Sequence, residues 1–449
     1  MDADPRDLRI QQLEEENQSL RARIQTLEQL IDKLQTRVEE LERAAVRQAA
    51  PFRRKDKKPP DQHKPPGRPA GHPPAFRPPP QQVDEDIQMR LDQCPQCGGP
   101  VRDVQACVQY IEDIPPVRPH VTKLTTYVGL CACCGEVRST HPLQVSTASG
   151  AAGTHLGART LALAAWLSKR LGMTTRSVCK VLRGLFGLKL TPGGLTQALD
   201  RVADKLQPTF DQLIADLRRQ PGVWADETSW WVGGPGWWLW TFTAPDLTVY
   251  HVDTSRGRDV VLDMLGTDFP GVLTSDCLAS YENLPYKMHK CYAHHLKAIS
   301  EAYEDMPSDY LVQLRGLLHA AMFLQGHRGD LSPPEWAEKR QRLEDRADEL
   351  LLRTTPPPGA AKVAERIRKR RHWLFTFLDD PSLEATNNRA ERSLRPAVIA
   401  RKLSCGNKTP RGKHTWEILT SLAATCHQRG QDFIDHLRPH LVLAAAPGR

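Results

Sequence analysis

Three carboxylates interrupt stretches that are otherwise apolar or cationic. Asp226 breaks the run "VWADETSWW", Asp276 closes "GVLTSD", and Glu391 is the lone acid in "ATNNRAERSLRPAVIARK". A carboxylate is expensive to bury unless something positive meets it. Three hard-oxygen ligands suit Mg2+ (or Mn2+). Two such ions, about 3.5–4 Å apart, can activate an attacking oxygen and stabilise a leaving one in phosphodiester displacement. Asp226, Asp276 and Glu391 are therefore the candidate catalytic and metal-binding residues. Glu227 alternates to the opposite face of its strand and stands outside the set. Glu391 has a competing reading: with Asn388 as a helix cap, it falls three residues on, at the capping-box position. Its cationic neighbours Arg389, Arg392, Arg395, Arg401 and Lys402 favour a strand-binding face beside a metal.

A second chemistry lies upstream. Cys94 and Cys97 in "CPQC", with Cys131 and Cys134 in "CACC", form two C-x2-C knuckles with 33 residues between them. Tetrahedral zinc takes four such thiolates and leaves no open position, so the expected role is structural Zn2+. Cys133 is an alternative to Cys131 or Cys134. The intervening "ACVQYIEDIP" and "VTKLTTYVGL" read as strands, which predicts a zinc ribbon over 87–142.

The acids need elements to bring them together. "GVWADETSWWV", "GWWLWTFTA" and "LTVYHVD" read as a three-stranded antiparallel meander with "GGPG" and "PD" turns. "GRDVVLDMLG" then reads as a helix and "GVLTSD" as a buried strand. A meander followed by helix and strand suits a ribonuclease-H-like core, in which acids lie in the first strand, at the end of the fourth and on a late helix. The predicted fold class is multidomain α+β, with this catalytic core at 221–431.

Further elements precede the core. Ile10, Asn17, Ile24, Ile31 and Val38 repeat every seven residues, and leucines from Leu13 to Leu41 repeat three residues later. That is a coiled-coil seam over 1–47, favouring a parallel homodimer whose register the polar Asn17 fixes. In such a dimer Arg9 meets Glu14, Glu16 meets Arg21, Arg23 meets Glu28, and Arg37 meets Glu42. A Pro-rich basic linker follows at 48–86. Residues 150–208 read as three helices with Thr174 and Thr191 as caps, either a helix-turn-helix-like DNA-binding unit carrying Arg176, Lys180 and Arg183 on one face or a plain helical connector.

The net charge of +8 is concentrated: nine Lys/Arg against two Asp between Arg47 and Gln82, and eight against one Glu between Arg389 and Lys413. Such blocks point to a polyanion partner, nucleic acid first. No apolar run approaches the ~20 residues of a membrane span. The opening "MDADPRDLRI" lacks the basic head and apolar core of a signal peptide, so a cytoplasmic, nucleoid-associated protein with no membrane partner is expected.

The coiled coil, "KPPGRPAGHPP", "CPQCGGPV" with "CACCG", "DET" at 226–228, "SDCLASY", "CYAHHLKAI" and "NNRAERSLRPAVIARK" together resemble a transposase of the insertion sequence 66 family. The resemblance implies DDE acids at Asp226, Asp276 and Glu391 and a C-x2-H element at Cys291 and His294. It also implies a helical insertion at about 296–378, before the last acid; the residues after the core, 432–449, are expected to form a C-terminal tail. The implied activity is metal-dependent cleavage and strand transfer on the ends of a mobile element and on target DNA, with small accessory proteins of the same element as further partners. Cys291 and His294, with His295, lack two more obvious ligands for a second zinc, which favours a structural or DNA-proximal role. The rival readings are a non-catalytic zipper and zinc-ribbon regulator, which would not nick DNA, and a nuclease, which would cut without joining.

Overall fold

The computed structural model describes residues 77–146 and 154–442, with Gln18, Leu20, Arg21, Arg23, Ile24, Gln25, Leu27 and Leu34. The rest of the expected coiled coil, Asn17 included, lies outside the described residues, as do most of the linker and the last residues of the tail. Those few described positions are helical, and the seam residues Leu20, Ile24, Leu27 and Leu34 are exposed. The chain divides into one unit ending at Asp113 and a second beginning at Ile114.

Besides those helical positions, the described residues of the first unit include a turn over residues 95–97 closed by pairing of Gln93 with Pro100. The second unit begins with a hairpin of β1 (Val128–Cys131) and β2 (Gly135–Arg138). Thus the strand expected in "VTKLTTYVGL" starts only at Val128, and "ACVQYIEDIP" forms none. Propensity for a strand is realised only against a partner and a covered face. Here Val108, Ile111, Ile114 and Val121 remain exposed.

Three helices follow: α1 (Ala158–Lys169), α2 (Thr175–Phe186) and α3 (Pro192–Leu217). Thr174 caps α2 by accepting from Ser177 N, and Thr191 caps α3 by accepting from Gly194 N. Gly187 ends α2 at a φ of 67°, a left-handed position that a side chain would strain.

A five-stranded sheet comes next: β3 (Gly222–Trp230), β4 (Trp237–Thr243), β5 (Thr248–Asp253), then helix α4 (Arg258–Leu265), β6 (Val272–Ser275) and β7 (Lys287–Lys290). The strand order is β5-β4-β3-β6-β7. The first three strands form the antiparallel meander, whereas β6 and β7 run parallel to β3. The predicted helical stretch appears as α5 (Tyr292–Asp305), α6 (Asp309–Gly326), α7 (Pro333–Asp348) and α8 (Pro358–Arg368). The chain closes with α9 (Asn388–Ser404), α10 (Pro410–Gln428) and α11 (Phe433–Leu441). The stretch read as a tail therefore contains a helix, capped by Asp432 and buried through Phe433, Leu437 and Leu441.

Alternation along β3 divides the core. Val223 and Ala225 face one side, where they share a single cluster with Leu195, Leu199 and Leu206 of α3 and Ile418 and Leu422 of α10. Trp224 faces the other side, with Ile299, Leu314 and Ile367 of α5, α6 and α8. The three-helix unit thus packs into the core of the sheet. Each fully buried side chain of this size contributes about 1.5–3 kcal/mol, so the two faces lock β3 between layers. Among the described residues no helix is long and apolar enough to cross a membrane.

Candidate active site

β3 carries Asp226 on the Trp224 side, in register with Thr241 of β4. Asp276 directly follows β6, and its Oδ1 accepts from Leu278 N at 2.8 Å, a local bond that fixes the turn. Glu391 lies in the first turn of α9. The cap of that helix is Asn387, not Asn388, and its side chain makes no capping bond. Glu391 is then the fourth helical residue, one beyond the capping-box position, and the competing reading fails on register.

Asp226 is held well above the usual carboxylate range. Burial is the largest cause; the charges of Glu227, Asp276 and Glu391 add to it, against one bond accepted from Glu227 N. Asp276 and Glu391 therefore each lie within electrostatic reach of Asp226, although 50 and 165 residues separate them from it in sequence. Like charges gathered in a partly dry site call for a cation. An all-carboxylate donor set fits a hard divalent ion such as Mg2+ or Mn2+.

Helix α9 is fastened to β3 along its length. At its start Asn387 Nδ2 donates to Ala225 O at 2.8 Å. Arg401, near its end, donates to Ser229 O and Oγ. Beyond the helix, Trp230 Nε1 donates to Asn407 Oδ1 at 2.8 Å and Asn407 N to Trp231 O at 2.9 Å. Gly406 makes that approach possible: its φ is 94°, and a Cβ there would meet Trp231 O at 2.6 Å.

The predicted DNA-facing cations divide accordingly. Arg389 is engaged within the chain, paired with Glu384 and lying over the Trp224 ring at 4.9 Å. Arg401 is half-buried against β3. Arg392, Arg395 and Lys402 are exposed.

Several residues near the acids escaped the sequence reading. Glu227 does point to the opposite face, but its side chain is buried, accepting from Arg256 and from Tyr281 OH. Lys290 is buried at the end of β7, donating to Ser275 Oγ at 3.0 Å and Tyr281 O at 3.2 Å. Burial brings its ammonium down to about 8. Its one visible signal was a lysine ending the strand "KMHK" just before "CYAHH".

Cys291, His294 and Glu391 offer one ligand atom each within 4.8 Å of one another. Zinc would want a fourth ligand. The Cys291 sulfur already accepts from Asn387 N at 3.0 Å, and burial pushes the thiol up, away from the thiolate a metal needs. The two upstream knuckles, each taken by itself, are built differently. Backbone amides two and three residues on, Gln96 and Cys97 in one and Cys133 and Cys134 in the other, lower the first thiol of each.

The profile of the family described as "Transposase IS66 family" matches residues 153–415. The chain is also similar to two uncharacterised proteins of Sinorhizobium fredii (strain NBRC 101917 / NGR234). It is 26% identical to y4qI over 297 residues, 58% of this chain and 54% of that protein. It is 26% identical to y4jD over 286 residues, 55% of each. The chain thus matches only about half the length of these relatives.

Proposed function

The chain belongs to the IS66 family of transposases, and on that premise we propose that it binds the ends of its mobile element and cuts and joins DNA by metal-dependent phosphoryl transfer. Asp226, Asp276 and Glu391 are the proposed catalytic residues. The observation that carries this reading is the raised Asp226, whose causes include the charges of Asp276 and Glu391. The strand order supports it too: three antiparallel strands flanked by two parallel ones is the arrangement of ribonuclease-H-like cores.

A divalent ion held by these carboxylates supplies Lewis-acid chemistry for phosphodiester displacement. The chain's own residues do the rest. The three acids hold the ion from three separate elements, so the site exists only when the sheet and α9 are assembled. Arg392, Arg395 and Lys402, on the helix of Glu391, meet the phosphate backbone of the strand being cut. The exposed Arg176, Lys180 and Arg183, at helical spacing on α2, engage the element ends. Zn2+ at Cys94, Cys97, Cys131 and Cys134 is a proposed structural element, and the N-terminal seam is a proposed homodimer contact. No covalent protein–DNA intermediate is required, since water and then a freed 3′-hydroxyl serve as nucleophiles.

The deciding experiment is a strand-joining assay with the element's ends, target DNA and Mg2+. Joined products are expected. Cleavage without joining would make the protein a nuclease, and end binding without nicking would make it a regulator.

A further inference from the structure

One chain of hydrogen bonds touches all three acid-bearing elements at the residues that set the acids. Asn387 Nδ2 donates to Ala225 O at 2.8 Å, one residue before Asp226. Asn387 N donates to Cys291 Sγ at 3.0 Å. Cys291 N donates to Ser275 O at 2.9 Å, one residue before Asp276. Asn387 O accepts from Glu391 N at 3.2 Å, the first bond of the helix that carries the third acid. Asn387 and Cys291 are both buried, at 1% and 0% exposure.

This wiring is unusual in its choice of groups. A helix-capping Asn ordinarily turns its side chain onto its own first turn. Here the side chain reaches 162 residues back to β3, and the capping bond is given up. A sulfur from the start of α5 takes the backbone N–H of that same Asn. Burial leaves no water to substitute for either partner, so losing one strands a polar group.

We propose that Asn387 and Cys291 form a clip that sets the three carboxylates at the spacing a divalent ion requires. They are positioning residues, acting through Asp226, Asp276 and Glu391 without touching the ion or the DNA. The proposal rests on the three-acid reading above and adds to it the device that holds the acids in place. It also gives the cysteine of the C-x2-H element a role as a hydrogen-bond acceptor in place of a metal ligand.

The test uses the full chain with Asn387→Ala, Cys291→Ala and Cys291→Ser, and Glu391→Gln as reference. Mn2+ binding without DNA is followed by electron paramagnetic resonance, and nicking is measured across a Mg2+ series. Asn387→Ala and Cys291→Ala should raise the half-saturating metal concentration about tenfold, the scale for groups that orient metal ligands. End binding by gel shift should stay within about twofold, since no DNA-facing residue moves. Cys291→Ser should recover most of the metal affinity, because a hydroxyl can accept the Asn387 N–H. If Asn387→Ala does not fold, the Ala and Ser pair at Cys291 carries the test alone. Wild-type metal curves in Cys291→Ala would overturn the clip. So would a zinc content lower in Cys291→Ala than in wild type, which would make the sulfur a ligand. Unchanged Mn2+ binding and nicking in Glu391→Gln would instead overturn the three-acid reading itself.

Discussion

The guanidinium of Arg256 donates through both Nε and Nη2 to one oxygen of Glu227, at 3.1 and 2.7 Å, on the opposite face of β3 from its sequence neighbour Asp226. Tyr281 OH takes the other oxygen at 2.8 Å. Glu227 therefore supports the fold and also adds to the charge that raises Asp226.

Glu227→Gln should consequently cost stability while sparing the chemistry. The amide keeps one acceptor but loses the ion pair; breaking a fully buried pair costs about 3–5 kcal/mol, and the cost is smaller here because Arg256 keeps 29% exposure and burial already raises the Glu227 carboxyl. The melting temperature should fall and nicking at low temperature should persist. Complete loss of nicking with an unchanged melt would place Glu227 among the acids that act on DNA.

The cations on α9 make a separable prediction. Arg392→Ala and Arg395→Ala should each weaken binding to all sequences alike and lower the salt slope of binding by about 1, as loss of one phosphate contact does. Arg389→Ala should instead lower stability, since that side chain is engaged with Glu384 and Trp224. Gel shifts over a salt series, alongside thermal melts, separate the two. A salt slope unchanged in both Arg392 and Arg395 variants would remove α9 from the DNA interface.

The pattern of what the sequence disclosed follows from range. Alternation in "GVWADETSWWV" and the Gly-Pro turns are local signals, and they located β3, β4, β5 and Asp226 closely. The caps Thr174 and Thr191 were equally local. Asn387 and Arg389 are defined by partners far away in sequence or by helix register to one residue, and neither shows in composition or period. The same holds for the helices at 158–217, whose apolar stripes announce a buried face without saying that the sheet covers it. The strand expected at 106–115 failed for the complementary reason: its residue types fit a sheet, but among the described residues no strand pairs with it.

His289 gives stability a pH dependence. Burial holds it down to about 4, with Nε2 against Ala385 O at 3.0 Å. Lys290, the next residue, lowers it further, while the backbone carbonyls of Ala385 and Trp373 oppose the shift. The folded state therefore keeps the ring neutral where the unfolded chain, near 6.5, takes a proton. Its contribution is present in full above about pH 6.5 and is lost as pH falls toward about 4, on the order of 3 kcal/mol over that window. His289→Asn should be less stable at pH 7 and show a shallower decline between pH 6.5 and 4. Parallel declines in variant and wild type would assign the acid sensitivity to other groups.

The upstream knuckles predict a metal analysis. Cys94→Ser or Cys134→Ser should release one zinc per chain and unfold residues 87–142, because the binding energy of such sites is folding energy. Elemental analysis of purified wild-type protein decides the premise. Finding no zinc there would leave the four cysteines as ordinary thiols.

The sharpest expectation concerns the acids themselves. Asp226→Asn, Asp276→Asn and Glu391→Gln each trade a carboxylate for an amide of nearly the same shape, removing charge and ligand strength with little change in packing. If the three hold one divalent site, each should reduce nicking and joining by more than about a hundredfold, beyond the cost of disturbing a mere outer partner. End binding should be nearly intact, since it depends on cations elsewhere. Asp226→Asn should also be at least as stable as wild type without metal, because it relieves the repulsion from Glu227, Asp276 and Glu391. That pairing of a stable fold with a dead site is what a function-bearing cluster of like charges requires. The measurements are strand transfer with Mg2+, a gel shift on the same DNA, and a thermal melt in chelator. Loss of end binding and of the melt in all three would mean that the acids support the fold and do not carry the chemistry.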